Sequence, residues 1–182
     1  MILGLDISTS ITGITLLDKD GKIVYNLAVD TRKYKDFFEK AEVIERALKE
    51  LDIEILRRVG APVKPTYIFV EQSLQTFRSG FSSAKTLSTL SRFNGLVSWL
   101  SYQIFGIKPQ YIAATSARKQ AGIKVPKGVK GKQAVMKHVI DNVPEVVIEY
   151  TRAGNPKPEC FDKADSWVIA RAGWLLCQKE KS

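Results

Sequence analysis

At 182 residues, 45% of them hydrophobic and 26% charged, the chain has the length and composition of one globular domain with a well-filled core. It is basic, with 28 Lys and Arg against 19 Asp and Glu for a net charge of +9, which points to a polyanionic partner. No stretch approaches the ~18 consecutive apolar residues of a membrane span. The start, Met1-Ile2-Leu3-Gly4-Leu5-Asp6, meets a carboxylate too early for a secretory signal, so no membrane partner and a place inside a cell are expected.

Residues 2–8, 13–17 and 22–29 read as three strands, the last two joined at Asp18-Lys19-Asp20-Gly21. Asp-Gly between apolar runs is a hairpin signal; the later ligands of a calcium loop are missing, so this segment reads as a turn. A helix is predicted over 36–58, with Phe37, Ala41, Ile44, Leu48, Leu51 and Ile55 on one stripe, stopped by Gly60-Ala61-Pro62. Residues 67–71 form a fourth strand. A second helix spans 82–105, and along it Ala84, Ser88, Ser91, Gly95 and Ser98 make a stripe of small residues. That stripe fits either tight packing on the sheet or a helix shared with a second subunit.

Residues 110–114 read as a fifth strand, with Thr115 opening a polar stretch. A third helix begins near Lys132 and ends near Pro144; a last one begins near Asp162 and carries Ile169, Ala172 and Leu176 on one side. Antiparallel strands followed by alternating helices and strands imply an α/β fold, a mixed sheet covered by helices, with no domain boundary. Cys160 and Cys177 suit neither a disulfide framework nor a zinc site and read as small buried hydrophobes.

Between Gln72 and Ile140 there is no acidic residue and there are eleven Lys or Arg, while the rest of the chain holds 17 basic and 19 acidic residues. The positive excess therefore lies in the middle. Each cation that neutralises a phosphate releases a condensed counterion, so such a segment suits a nucleic acid.

Carboxylates flank this segment. Asp6 lies in an apolar strand on the face of Ile2 and Gly4, where an unpaired charge costs several kcal/mol. Glu71 closes the fourth strand, at the carboxyl end where ligands of α/β sheets gather. Asp162 and Asp165 are three apart at a predicted helix start. They read either as an N-cap with its acidic follower or as a pair pointing inward, since their face continues into Ile169 and Ala172. Acids meeting at one point would carry raised pKa values unless cations joined them. An oxygen-only set selects Mg²⁺ or Mn²⁺ over zinc, and two such ions about 4 Å apart activate water for phosphodiester hydrolysis. His138 and Asp141 also lie three apart, near a helix end, and read as surface residues.

Asp6-Ile7-Ser8-Thr9-Ser10-Ile11-Thr12-Gly13 resembles the first-strand motif of the RuvC-type Holliday junction resolvases of the RNase H-like superfamily. Glu71 matches that family's second carboxylate, and Asp162-Lys163-Ala164-Asp165-Ser166 before an apolar helix its closing acid pair. The likeness spans most of the chain. Bacterial members often have His where Asp162 stands; the acid pair and compact form resemble the phage-type variant.

The resemblance implies an RNase H-like mixed five-stranded sheet, with three antiparallel strands plus parallel ones, and a homodimer. It implies Asp6, Glu71, Asp162 and Asp165 as catalytic ligands of two Mg²⁺ ions, with Mn²⁺ substituting. The reaction would be symmetric nicking of four-way DNA junctions and other branched DNA, leaving 5′-phosphate and 3′-hydroxyl ends, in the cytoplasm of a bacterial or phage-infected cell or in an organelle. Lys130-Gly131-Lys132 matches the family's Gly/Lys turn, which places Lys132 on a phosphate near the cut, at a helix N-terminus that itself attracts anions. Phe77, in the loop 75–81, would wedge at the open junction, and Phe81 would either do the same or fold back onto the next helix. Arg78, Lys85, Arg92, Arg118, Lys119, Lys124, Lys127 and Lys130 would contact the DNA backbone.

Three other readings use the same features. An RNase H-type or pre-rRNA-processing nuclease would share the carboxylates but act on RNA. An actin-like or sugar-kinase-like ATP-binding protein shares the first-strand motif, but such folds duplicate the domain and no second phosphate motif follows. A basic binding module without catalysis leaves Asp6 and Asp165 buried without a purpose.

Overall fold

The aspartate-glycine turn starts the sheet as expected. Asp18 Oδ1 accepts from the amides of Asp20 at 2.8 Å and Lys22 at 2.9 Å, and Gly21 takes the left-handed conformation at φ 78°. Across residues 1–59, 64–72 and 84–179, those described by the computed structural model, one sheet forms. Its strands are β1 (Ile2–Asp6), β2 (Ile11–Leu17), β3 (Ile23–Asp30), β4 (Tyr67–Glu71) and β5 (Gln110–Ile112). Their order is β3-β2-β1-β4-β5. β1, β2 and β3 run antiparallel in succession, while β4 lies parallel to β1 and β5 parallel to β4. This is the expected α/β mixed five-stranded sheet.

Five helices cover it: α1 (Phe37–Val59), α2 (Ala84–Phe105), α3 (Ala114–Gln120), α4 (Gly131–Asn142) and α5 (Pro158–Lys179). The side-chain period of two splits the strands between two cores. Leu3, Leu5, Ile14, Leu16, Ile68 and Val70 pack with Ala41, Ile44 and Leu48 of α1 and Phe93 and Val97 of α2. Ile2, Leu17 and Phe69 face the other way, onto Val168, Ile169 and Ala172 of α5, with Val135 and Val139 of α4 behind. Among the described residues no helix is long and apolar enough to cross a membrane.

Several boundaries differ from the sequence reading. β1 stops at Asp6 because Ser8 folds the next residues into a turn: its Oγ donates to the Ile11 carbonyl at 2.7 Å and accepts from the Ile11 amide at 3.1 Å. β5 ends at Ile112, and the stretch after it is the helix α3 rather than a strand end and a polar loop. Asp36 lies just before α1 and caps it, accepting from the amides of Phe38 and Glu39 at 2.8 and 3.1 Å. α5 starts four residues before Asp162, at Pro158, a residue suited to a first helical turn. The N-cap reading of Asp162 and Asp165 is thereby excluded. Cys160 and Cys177 are buried, and no disulfide joins them. His138 is not a plain surface residue: it is half-buried, with its ring stacked on Trp167 at 5.9 Å. Gly60, Ala61, Pro62 and Ser82 lie outside the described residues.

Candidate active site

Asp6 and Glu71 occupy adjacent positions because β1 and β4 are parallel and in register from Ile2–Tyr67 to Leu5–Val70, so each strand's next residue is its carboxylate. Parallel neighbours lie about 4.8 Å apart. Both carboxylates fall on the α5 side, the face of Ile2, Gly4 and Phe69. The buried Asn94 of α2 steadies Glu71 from behind, its amide donating to the Glu71 carbonyl at 2.9 Å.

The third side comes from α5, and glycines bring it close. A Cβ on Gly13, the β2 residue paired with Asp6, would overlap the carbonyl oxygen of Asp162. A Cβ on Gly4 would overlap the backbone of Ala170. The helix thus lies directly on the sheet, and its first turns carry Asp165, 7% exposed, and the half-buried Asp162 over Asp6.

Lys132, at the N-terminus of α4, completes the cluster. Its Nζ stands 3.3 Å from Asp165 Oδ2 and 3.8 Å from Asp162 Oδ1. Burial works against the ammonium, but Asp165, Asp6 and Asp162 outweigh it and raise its pKa. Burial raises Asp6 well above the usual carboxylate range, and the charges of Glu71 and Asp165 add to this. Burial and then Asp165 push Glu71 up to about 7, against the pull of Lys132 and Arg118. Burial lifts Asp162 to about 6, opposed by Lys132, and raises Asp165 against the same ammonium.

Among the described residues, four carboxylates therefore share one field, with the Lys132 ammonium in contact with Asp162 and Asp165. Each of the four keeps its proton to a higher pH than a free carboxyl would, because positive charge is missing beside it. An all-oxygen donor set with that deficit fits hard divalent cations; Asp6, Glu71, Asp162 and Asp165 are the residues that would hold them. As the side chains stand, no three His, Cys, Asp or Glu among the described residues close around one point, and the Lys132 ammonium lies against the acid pair.

The basic residues divide. Arg118 is half-buried beside the carboxylates, and Gly131 leaves room for it, since a Cβ there would stand 3.0 Å from the guanidinium carbon. Arg118, Lys119 and Lys124 line one cleft of about 490 Å³ with Thr115, Ile123 and Gly131. Lys127 and Lys130 are exposed on the α3–α4 connection, and Lys85 and Arg92 are exposed on α2, away from the lining of that cleft. Phe77, Arg78 and Phe81 lie outside the described residues. Sequence reasoning passed over Gly13 and Asn94, although the glycine two strand positions from a polar-rich turn was a signal for close backbone approach.

The sheet order, the crossing helices and the edge where the acids meet define an RNase H-like fold, and solved structures share it. Thermus thermophilus RuvC in complex with a Holliday junction substrate superposes with a TM-score of 0.63 at 12% identity, over 98% of this chain and 94% of that one. A second structure of T. thermophilus RuvC gives 0.60 at 14% identity, over 98% and 96%. The yeast mitochondrial Holliday junction resolvase Ydc2 gives 0.54 at 18% identity, over 98% and 80%. No protein-family model and no curated protein sequence matches the chain.

Proposed function

We propose that this protein is a divalent-ion-dependent endonuclease that cuts branched DNA, four-way junctions above all. The observation that carries the reading is that Asp6, Glu71, Asp162 and Asp165 lie near enough to feel one another's charge at the carboxyl edge of an RNase H-like sheet, beside a basic cleft. The substrate is supported by kinship in fold, since one neighbour was solved with a Holliday junction substrate and another is a mitochondrial Holliday junction resolvase.

The chain's own groups divide the work. Arg118, Lys119 and Lys124 hold the strand by its phosphates, orienting it without reading bases. Lys132 passes its ammonium from Asp165 to a phosphate oxygen beside the cut. The four carboxylates, once deprotonated, would hold two Mg²⁺ or Mn²⁺ ions, whose chemistry there would be to activate a water and to stabilise the leaving oxygen. The products are 5′-phosphate and 3′-hydroxyl ends.

Paired cuts call for two active sites, and α2 offers the face for a homodimer. Ala84, Ser88, Ser91 and Gly95 are exposed; of the small-residue stripe only Ser98 is buried, its hydroxyl without a hydrogen-bond partner among the described residues. Trp99, 56% exposed, and Tyr111, 51% exposed, line a separate shallow cleft together with Gly95, Ser98 and Tyr102. Apolar rings on one outward face suit a partner surface.

The test is incubation with labelled four-way, Y-shaped and RNA–DNA hybrid substrates, with and without Mg²⁺, for the wild type and Asp6→Asn. Mg²⁺-dependent nicking of the junction is expected from the wild type alone, with junction binding kept or strengthened in the variant. Cleavage of the hybrid and not the junction would move the substrate to RNA. Full activity in Asp6→Asn would end the proposal.

A further inference from the structure

Ile2, Leu17 and Phe69 of the sheet meet Val168, Ile169 and Ala172 of α5 in an apolar contact, and apolar burial is non-directional. A helix turns about 100° per residue, so a slip of one position would swing Asp165 away from Asp6 and Glu71. One buried polar cluster removes that freedom. Thr15 of β2 and Ser166 of α5, both fully buried, lie 2.8 Å apart through their hydroxyls. The Asn26 amide of β3 donates to Thr15 Oγ1 at 2.7 Å and to the Lys163 carbonyl at 3.1 Å. Ser166 Oγ donates to the same carbonyl at 3.0 Å.

Proton counting fixes the direction of this network. Ser166 has one hydroxyl proton, which goes to Lys163, so the Thr15 hydroxyl donates to Ser166 and accepts from Asn26. The two amide protons of Asn26 then go one to Thr15 and one to Lys163, and the ring closes with every donor used. The Lys163 carbonyl lies in the turn of α5 that bears Asp162 and Asp165. Beside it, Gly13 sets how deep that turn sits on the strand.

We infer that Asn26, Thr15 and Ser166 are positioning residues for divalent-ion binding: by locking the rotation of α5 at Lys163 they set Asp162 and Asp165 against Asp6 and Glu71. Among the described residues, none of the three side chains hydrogen-bonds a carboxylate. The inference rests on the reading that the four acids bind divalent ions. It adds that their geometry is held from β2 and β3, strands that contribute no acid to the site.

The experiment is calorimetric titration of the full chain with Mn²⁺, beside thermal melts in EDTA, for Thr15→Val, Thr15→Ser, Asn26→Leu and the double variant Thr15→Val/Asn26→Leu. Thr15→Val and Asn26→Leu are expected to bind Mn²⁺ about tenfold more weakly. Thr15→Ser, which keeps the hydroxyl, is expected to retain wild-type affinity. The double variant removes a donor together with its acceptor, which limits the loss of fold stability; its melting stays cooperative while its Mn²⁺ affinity stays low. Wild-type affinity in Thr15→Val, Asn26→Leu and the double variant would overturn the inference and leave the nuclease reading standing. An equal loss in Thr15→Ser would also overturn it. No Mn²⁺ binding by the wild type would remove both.

Discussion

Raising the pH should destabilise the metal-free protein, and a divalent ion should reverse the effect. The perturbation is deprotonation of Glu71 and Asp162, whose folded pKa values lie at about 7 and about 6 against ordinary values of 4.5 and 3.8. A carboxyl with a raised folded pKa holds a proton that the unfolded chain would release. Its stabilising contribution is complete below the unfolded pKa and is lost as pH climbs through the folded one. The window thus runs from about pH 4 to about pH 7. Each pKa unit corresponds to about 1.4 kcal/mol, so Glu71 alone accounts for roughly 3 kcal/mol. Asp162 adds less than its own shift suggests, since the two acids share Asp165 and Lys132 as neighbours. For a chain of this size roughly 3 kcal/mol corresponds to a fall in Tm of about 6–12 °C. The lowered pKa values of Asp30, held by Arg32, and of Asp36, held by the amides of Glu39 and Phe38, act below about pH 4 and stay outside the window. The assay is thermal unfolding by circular dichroism in EDTA at about pH 5 and about pH 7.5, repeated with excess Mn²⁺. Mn²⁺ should raise Tm far more at the higher pH, and Glu71→Gln should flatten the pH dependence. A metal-free Tm that is level or rises across the window would refute the reasoning.

Two more outcomes are expected. Lys124→Gln removes one cation from the cleft beside Arg118; the slope of log K against log salt for junction binding, read by fluorescence anisotropy, should lessen by about one, and an unchanged slope would place Lys124 off the DNA. Trp99→Glu puts a charge on the exposed face of α2; sedimentation should show monomer while the melting curve is kept, and a surviving dimer would move the interface elsewhere.

The succession of strands along the chain and the places of Asp6 and Glu71 on their own strands were legible because they depend on local rules. The Asp18–Gly21 turn, the apolar run ending at Glu71 and the period-two face of Ile2, Gly4 and Asp6 each follow from a few neighbouring residues. α3 escaped the reading because Ala114–Gln120 is seven residues long with Ala117 alone buried, too short for a helical period to show. Pro158 did mark the true start of α5; the acid pair drew the boundary inward. Periodicity grouped Ala84, Ser88, Ser91 and Gly95 on one face of α2 but carries no information about what covers that face.

The sequence by itself determined which groups exist and on which faces of strands and helices they stand: four carboxylates, a basic middle, and glycines in β1 and β2. Only the tertiary structure decided how they meet. It set Lys132 between Asp162 and Asp165, drew Arg118 beside Glu71, and joined Asn26 to Lys163, 137 positions along the chain. Local propensity acts over a few residues, whereas these meetings depend on the depth and rotation at which α5 settles on the sheet. That depth is set by the close backbone approach at Gly4 and Gly13, and a glycine in a strand marks such an approach without naming the distant backbone, Ala170 or Asp162, that makes it.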